Sequence, residues 1–221
     1  MGRLNEDNNF LYLAASLLIL LLASPLANSL PEGFAYWILK AIITVTIIVC
    51  YLSLNFGKRW RVFTGALVLF MISSSILREY GNLGSATLLD LVIMLVFFVT
   101  VAYSAARRVL LRGAVDFNKI VGAFTIYLLL GLIWSTLYLF VLEVSPTAFN
   151  GMEHVNWADN FSTATYFSYV TLTTLGYGDI SPAEPLSRVL VFLEAMAGTF
   201  YMAVVIASLI GSHVSKRNTN N

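Results

Sequence analysis

The sequence predicts an all-α membrane protein, with six transmembrane helices plus one shorter helix and loop that re-enter the membrane. Three observations predict it. Of 221 residues, 58% are hydrophobic and 11% charged, whereas soluble domains carry about 45–50% apolar and about 25% charged residues. Apolar runs recur at Phe10–Leu30, Phe34–Phe56, Arg61–Leu77, Thr87–Ala106, Ile120–Leu142 and Pro185–Ser212. Each is long enough to cross the hydrocarbon as a helix, which satisfies its own backbone in lipid. Finally, residues 143–184, between the last two runs, are too apolar and aromatic for an exposed loop.

The first run follows a segment in which Arg3 is outweighed by Glu6 and Asp7. That is the wrong charge for a secretory leader, so the run is expected to be a retained helix. Basic residues orient the rest. Lys58, Arg59 and Arg61, then Arg107, Arg108, Arg112 and Lys119, then Lys216 and Arg217 fall in alternate connections and the tail. The opposite loops hold Glu32, Glu79, Glu143, Glu153, Asp159, Asp179 and Glu184. The expectation is a multi-pass protein of the cell membrane, in contact with lipid and with both termini cytoplasmic. The basic linker divides it into residues 1–112, a four-helix unit, and residues 113–221, a two-helix unit with the re-entrant loop.

Net charge is +1, which offers no electrostatic case for nucleic acid. Cys50 is the single cysteine, expected to be a small buried hydrophobe. The sequence shows no metal-ligand cluster and no nucleophile–base pair, so no enzyme and no cofactor are expected.

Within the re-entrant loop, Ser162–Thr173 reads as a helix of about twelve residues, roughly 18 Å long. It can enter a bilayer but not cross it. Asp159, Asn160 or Ser162 can cap its start. Thr174-Leu175-Gly176-Tyr177-Gly178-Asp179 follows, then Ile180-Ser181-Pro182 turning the chain outward, and Pro185 suits the first turn of the last helix. Gly176 and Gly178 lack Cβ and can take positive φ.

A half-length helix followed by T-L-G-Y-G-D resembles the signature of the pore-loop potassium channel superfamily, with similarity over about Ile120–Ser212. The resemblance implies a pore helix and a selectivity filter in which carbonyls of Thr174, Leu175, Gly176 and Tyr177, with the Thr174 hydroxyl, replace the water around potassium. Gly178 completes that filter. Potassium is then the permeant ligand, and the Tyr177 side chain points away from it as a strut against neighbouring aromatics. One filter copy per chain implies a homotetramer. The pore-helix C-terminus would direct its partial negative charge to a central cavity. Asp179, Tyr166 and Phe167 would support the filter. Leu175 stands where Val is commoner, Tyr166-Phe167 where many members have two Trp, and Val170 where some bacterial relatives have Glu.

In the last helix, Gly198 has the family spacing of a hinge glycine, though close packing would equally explain a small residue there. By resemblance Thr199, Met202 and Ile206 line the cavity, and Ile210 and Val214 approach the axis as a constriction. Glu194 is an ionisable group at membrane depth, a functional candidate by default. The plainer reading is a carboxyl hydrogen-bonded to the pore helix, holding the filter scaffold.

The run Thr87–Ala106 carries Asp90 and no basic residue. A voltage-sensing helix needs several basic residues inside the membrane field, so conventional voltage gating is not expected. Lys40 and Asp90 could pair near the outer face, or Lys40 could extend outward. Eight residues follow His213, so ligand gating is expected to involve lipids, protons or a separate regulatory protein. The function implied is passive potassium conduction. A less selective cation channel and a subunit of a potassium uptake transporter are the alternatives. Tyr177 counts against the first, and the single complete filter against the second.

Overall fold

A computed structural model describes residues 9–27, 34–53, 58–81, 87–111, 117–207 and 211. In its described part, each predicted apolar run falls on a helix. These are α1 (Asn9–Ala27), α2 (Phe34–Ser53), α3 (Lys58–Gly81), α4 (Thr87–Leu111), α5 (Phe117–Val144) and α7 (Pro185–Phe200), with α6 (Trp157–Leu172) between the last two. Among the described residues, four stretches are long and apolar enough to cross a membrane: Asn9–Leu26, Thr87–Val109, Phe117–Val144 and Pro185–Val205. In α2 and α3 the described apolar stretches are shorter, Thr44–Ser53 and Trp60–Phe70.

α5 is the central post, against which α1, α4 and α6 all pack. Phe10, Leu13, Leu17 and Leu20 recur on α1 at three- and four-residue spacing, the period that lines one helical face. They join Leu91, Met94, Phe97, Val101 and Ala105 of α4, and Leu129 and Leu132 of α5, in one buried cluster. The expected division between residues 112 and 113 lies outside the described residues. The first four helices nevertheless share this core with α5. Outward faces remain apolar, as in Leu11, Ile19 and Leu22 of α1 and Leu89 and Val99 of α4. Several helical hydroxyls are satisfied within their own helix, as an apolar surround favours. Thr64, Thr100, Thr125, Ser135 and Thr136 each donate to the carbonyl four residues earlier.

α6 begins earlier than the sequence suggests. Its N-cap is Asn156, whose side chain accepts from the Ala158 amide at 3.0 Å, in place of Asp159, Asn160 or Ser162. Asn160 is drawn away, donating from Nδ2 to the Glu153 carbonyl at 2.5 Å. The helix therefore has 16 residues and a length of about 24 Å.

β1 (Phe149–Asn150), before α6, and β2 (Ser181–Pro182), after it, pair antiparallel with Phe149 opposite Pro182 and Asn150 opposite Ser181. Pro185 opens α7 as expected. Ser187 accepts from the Glu184 amide at 3.2 Å and donates to the Ala148 carbonyl at 2.7 Å, tying the start of α7 to the loop after α5. The last predicted run is not one uninterrupted α-helix: Tyr201–Ile206 is π-helical.

Candidate functional site

The segment Thr174–Asp179 grows directly out of the end of α6. The Thr174 amide donates to the Thr171 carbonyl at 2.9 Å, and the Leu175 amide to the Val170 carbonyl at 2.9 Å. These two bonds, with a left-handed residue at position 174, form a Schellman cap. The left-handed position normally belongs to glycine, yet here it holds β-branched Thr174 at φ +60°. Such a conformation costs about 1–3 kcal/mol and is found where function over-determines the backbone. Gly176 at φ +58° and Gly178 at φ +82° follow, whereas Leu175 and Tyr177 have no positive φ. In an ordinary strand, uniform dihedrals send successive carbonyls to opposite sides. Alternating left- and right-handed residues instead bring successive carbonyls to one side. The glycines were legible as positive-φ candidates, while Thr174 was not, because its Cβ argues against that conformation.

Around this segment, Tyr166 donates from its hydroxyl to Asp179 Oδ2 at 2.7 Å. This bond holds the Asp179 carboxyl below its ordinary pKa. Phe167 turns the other way, into an aromatic cluster with Tyr138 at 5.1 Å and Phe149 at 5.6 Å between ring centres. Each such pair contributes about 0.5–1.5 kcal/mol beyond its burial. Ser145 and Thr147 both donate to Glu184 Oε1 at 2.6 Å, lowering that carboxyl also. His154 Nε2, on the loop before α6, lies 3.4 Å from Glu143 Oε2 at the end of α5.

Within one chain Tyr177 is 67% exposed and Leu175 56% exposed. α7 is likewise bare. Only 11% of the stretch Pro185–Val205 is buried, against 67% of Phe117–Val144, and Leu186, Phe192, Met196 and Phe200 stand exposed.

Glu194 is one of three buried residues on α7, with Ser187 and Gly198, and is wholly buried. Tyr138 of α5 donates to its Oε2, and its Oε1 lies 2.5 Å from Ser168 Oγ on α6. The expected hydroxyl partner on α6 is therefore Ser168. The Tyr138 contact, from 56 residues earlier, had no signal in sequence spacing. Gly198 is also buried, and a Cβ there would overlap the Leu172 carbonyl oxygen. Of its two readings, this geometry supports close packing.

The end of α6 is less bare than its dipole alone suggests. The Val170 and Thr171 carbonyls accept the amides just described, and Tyr127 donates to the Leu172 carbonyl at 3.2 Å. Thr199 donates to the Ala195 carbonyl at 2.9 Å, and both Thr199 and Met202 are exposed. Ile206 ends the π-helical turn, its side chain outside the described part. Ile210, Val214 and His213 lie outside the described residues, as does the side chain of Lys40, so its pairing with buried Asp90 does too.

Residues 122–212 match the family model described as "Ion channel". A curated relative, the inward rectifier potassium channel Kirbac3.1 of Paramagnetospirillum magnetotacticum, is 47% identical over 51 residues, 23% of this chain and 17% of that channel. The chain thus spans well under two thirds of that relative. No solved structure matches it. Over residues 122–212 this chain is thus similar to ion channels, and the match points to a channel rather than an enzyme.

Proposed function

We propose that this protein is a homotetrameric potassium-selective channel, conducting passively through four copies of the segment Thr174–Gly178. In this reading six helices cross the cell membrane with both termini cytoplasmic, and α6 is a re-entrant pore helix. A potassium ion entering the pore must exchange its water for fixed oxygens. Rings of carbonyls from Thr174, Leu175, Gly176 and Tyr177 supply them, with the Thr174 hydroxyl at the cavity end. Four equivalent copies close such rings by cyclic symmetry.

The observation that carries this reading is the alternation of backbone handedness at Thr174, Gly176 and Gly178, directly after a helix too short to cross the bilayer. The exposed Tyr177 and the bare face of α7 fit a subunit whose neighbours complete it. Asp179 and Tyr166 brace the outer end of the filter, and Phe167 and Glu194 brace the pore helix from behind. Gly198, Thr199, Met202 and Ile206 border the cavity, with Ile210 and Val214 towards its cytoplasmic end. No cofactor or nucleic acid takes part, while lipid surrounds the tetramer and a separate regulatory protein is the remaining partner class.

Native mass spectrometry of the purified protein, paired with potassium flux from liposomes, tests this. A tetramer with potassium-driven flux is expected. A monomer that passes no potassium would refute it.

A further inference from the structure

Glu194 is enclosed by three helices, and its hydrogen-bond geometry can be counted proton by proton. Tyr138 of α5 donates its hydroxyl proton to Oε2. Ser168 Oγ on α6 lies 2.5 Å from Oε1 and also 2.7 Å from the Gly131 carbonyl oxygen of α5. A serine hydroxyl has one proton to donate. A carboxylate and a carbonyl are both acceptors only, so an ionised Glu194 leaves one of these two short Ser168 contacts with no proton in it. Ser135 already donates to the same Gly131 carbonyl at 2.7 Å, which leaves that oxygen no need of Ser168 unless a proton lies between them. With one further proton on Oε1 the count closes: Tyr138 donates to Oε2, Oε1 donates to Ser168 Oγ, and Ser168 donates to Gly131.

The surroundings favour the same state. Among the described residues no basic side chain pairs with Glu194. The ionisable groups facing it are phenols, Tyr127 and Tyr138 from α5 and Tyr169 from α6. On α7 the other charged side chain is Arg188, which is exposed and directed to the Pro182 carbonyl at 3.5 Å. A buried carboxylate with no cation and two neutral donors is poorly compensated, whereas a buried acid with every contact filled is not.

We propose that Glu194 is a neutral carboxylic acid whose own proton bridges to Ser168, making it a positioning residue that fixes the pore helix between the outer and inner helices. The pore helix ends at Leu172, and its cap is already the first filter residue, Thr174. Any rotation of α6 at Ser168 therefore reaches the filter through about one and a half helical turns. Glutamine can make the same chain, its amide donating to Ser168 and its carbonyl accepting from Tyr138. Alanine cannot.

The test uses the full-length protein in liposomes. Infrared difference spectra of wild type against Glu194→Gln at neutral pH should show the carbonyl stretch of a protonated acid, lost in the variant. A carboxylate pair of bands in its place overturns the proposal. Potassium flux in Glu194→Gln should stay within about twofold of wild type, whereas Glu194→Ala should lose about tenfold or more. Wild-type flux should fall reversibly at alkaline pH, as the bridging proton is removed, and Glu194→Gln should abolish that fall. A Gln variant as impaired as the Ala variant, or one that keeps the alkaline fall, overturns the proposal. The flux readouts rest on the channel reading, but the infrared band reports the proton even in a protein that conducts nothing. The spectra and the Gln variant decide the matter even if the Ala variant does not fold.

Discussion

Gly198 of α7 sits against the carbonyl oxygen of Leu172 at the last turn of α6, with no room between them for a side chain. The contact joins α7 to the end of α6, from which the segment Thr174–Asp179 issues. Two effects of opposite sign meet in Gly198→Ala. Alanine favours a helix over glycine by about 1 kcal/mol, while overpacking costs about 1–3 kcal/mol. The obstructing atom belongs to backbone and cannot swing aside, so the strain should win. We expect a lower thermal midpoint for the assembled protein, together with reduced potassium flux. An unchanged or raised midpoint with normal flux would show that α6 and α7 are not in this contact. Past this contact, the π-helical turn Tyr201–Ile206 is anchored by Tyr201, which donates to the Ala123 carbonyl at 2.8 Å.

The Asp179 end of the segment Thr174–Asp179 should be acid-sensitive in a defined direction. Tyr166 lowers Asp179 from its ordinary value of 3.8, and Ser145 and Thr147 lower Glu184 from 4.5. A carboxyl depressed in the folded state stabilises it fully above the ordinary value. That contribution is lost as pH falls through the folded value. Flux measured against external pH should therefore hold down to about pH 4.5 and decline only below it. Tyr166→Phe removes the largest cause at Asp179, so its decline should begin at higher pH than wild type. Superimposable curves would mean that the Tyr166–Asp179 bond does not form in the membrane.

Much of this site was legible in the residues, and the misses have physical causes. The helical runs were clear because burial in lipid demands long apolar stretches. Gly176 and Gly178 announced their backbone because no other residue takes positive φ so easily. Thr174 concealed its own, because the need to cap α6 at a position two residues before the first glycine outweighs a β-branched side chain. The cap of α6 was misplaced because Asp159, Asn160 and Ser162 are all good capping types. The deciding contact, Asn160 to the Glu153 carbonyl, is made seven residues away. Tyr138 beside Glu194 was invisible because helix-to-helix partners across 56 residues leave no periodic trace.

Voltage dependence should be weak. α4 begins with Asp90 in its first turn, and its basic residues Arg107 and Arg108 come only near its end. A charge crossing the field yields about 2.3 kcal/mol per 100 mV, and the body of α4 carries no basic charge to move. Single-channel recordings should show open probability nearly flat with voltage. Steep opening on depolarisation would contradict this.

Ion selectivity is the most direct measurement. With the purified protein in a planar bilayer separating potassium from sodium, the current should reverse near the potassium equilibrium potential, and Tyr177→Ala should move that reversal toward zero. Wild-type current reversing near zero, or no current from a verified tetramer, would contradict a potassium filter at Thr174–Gly178.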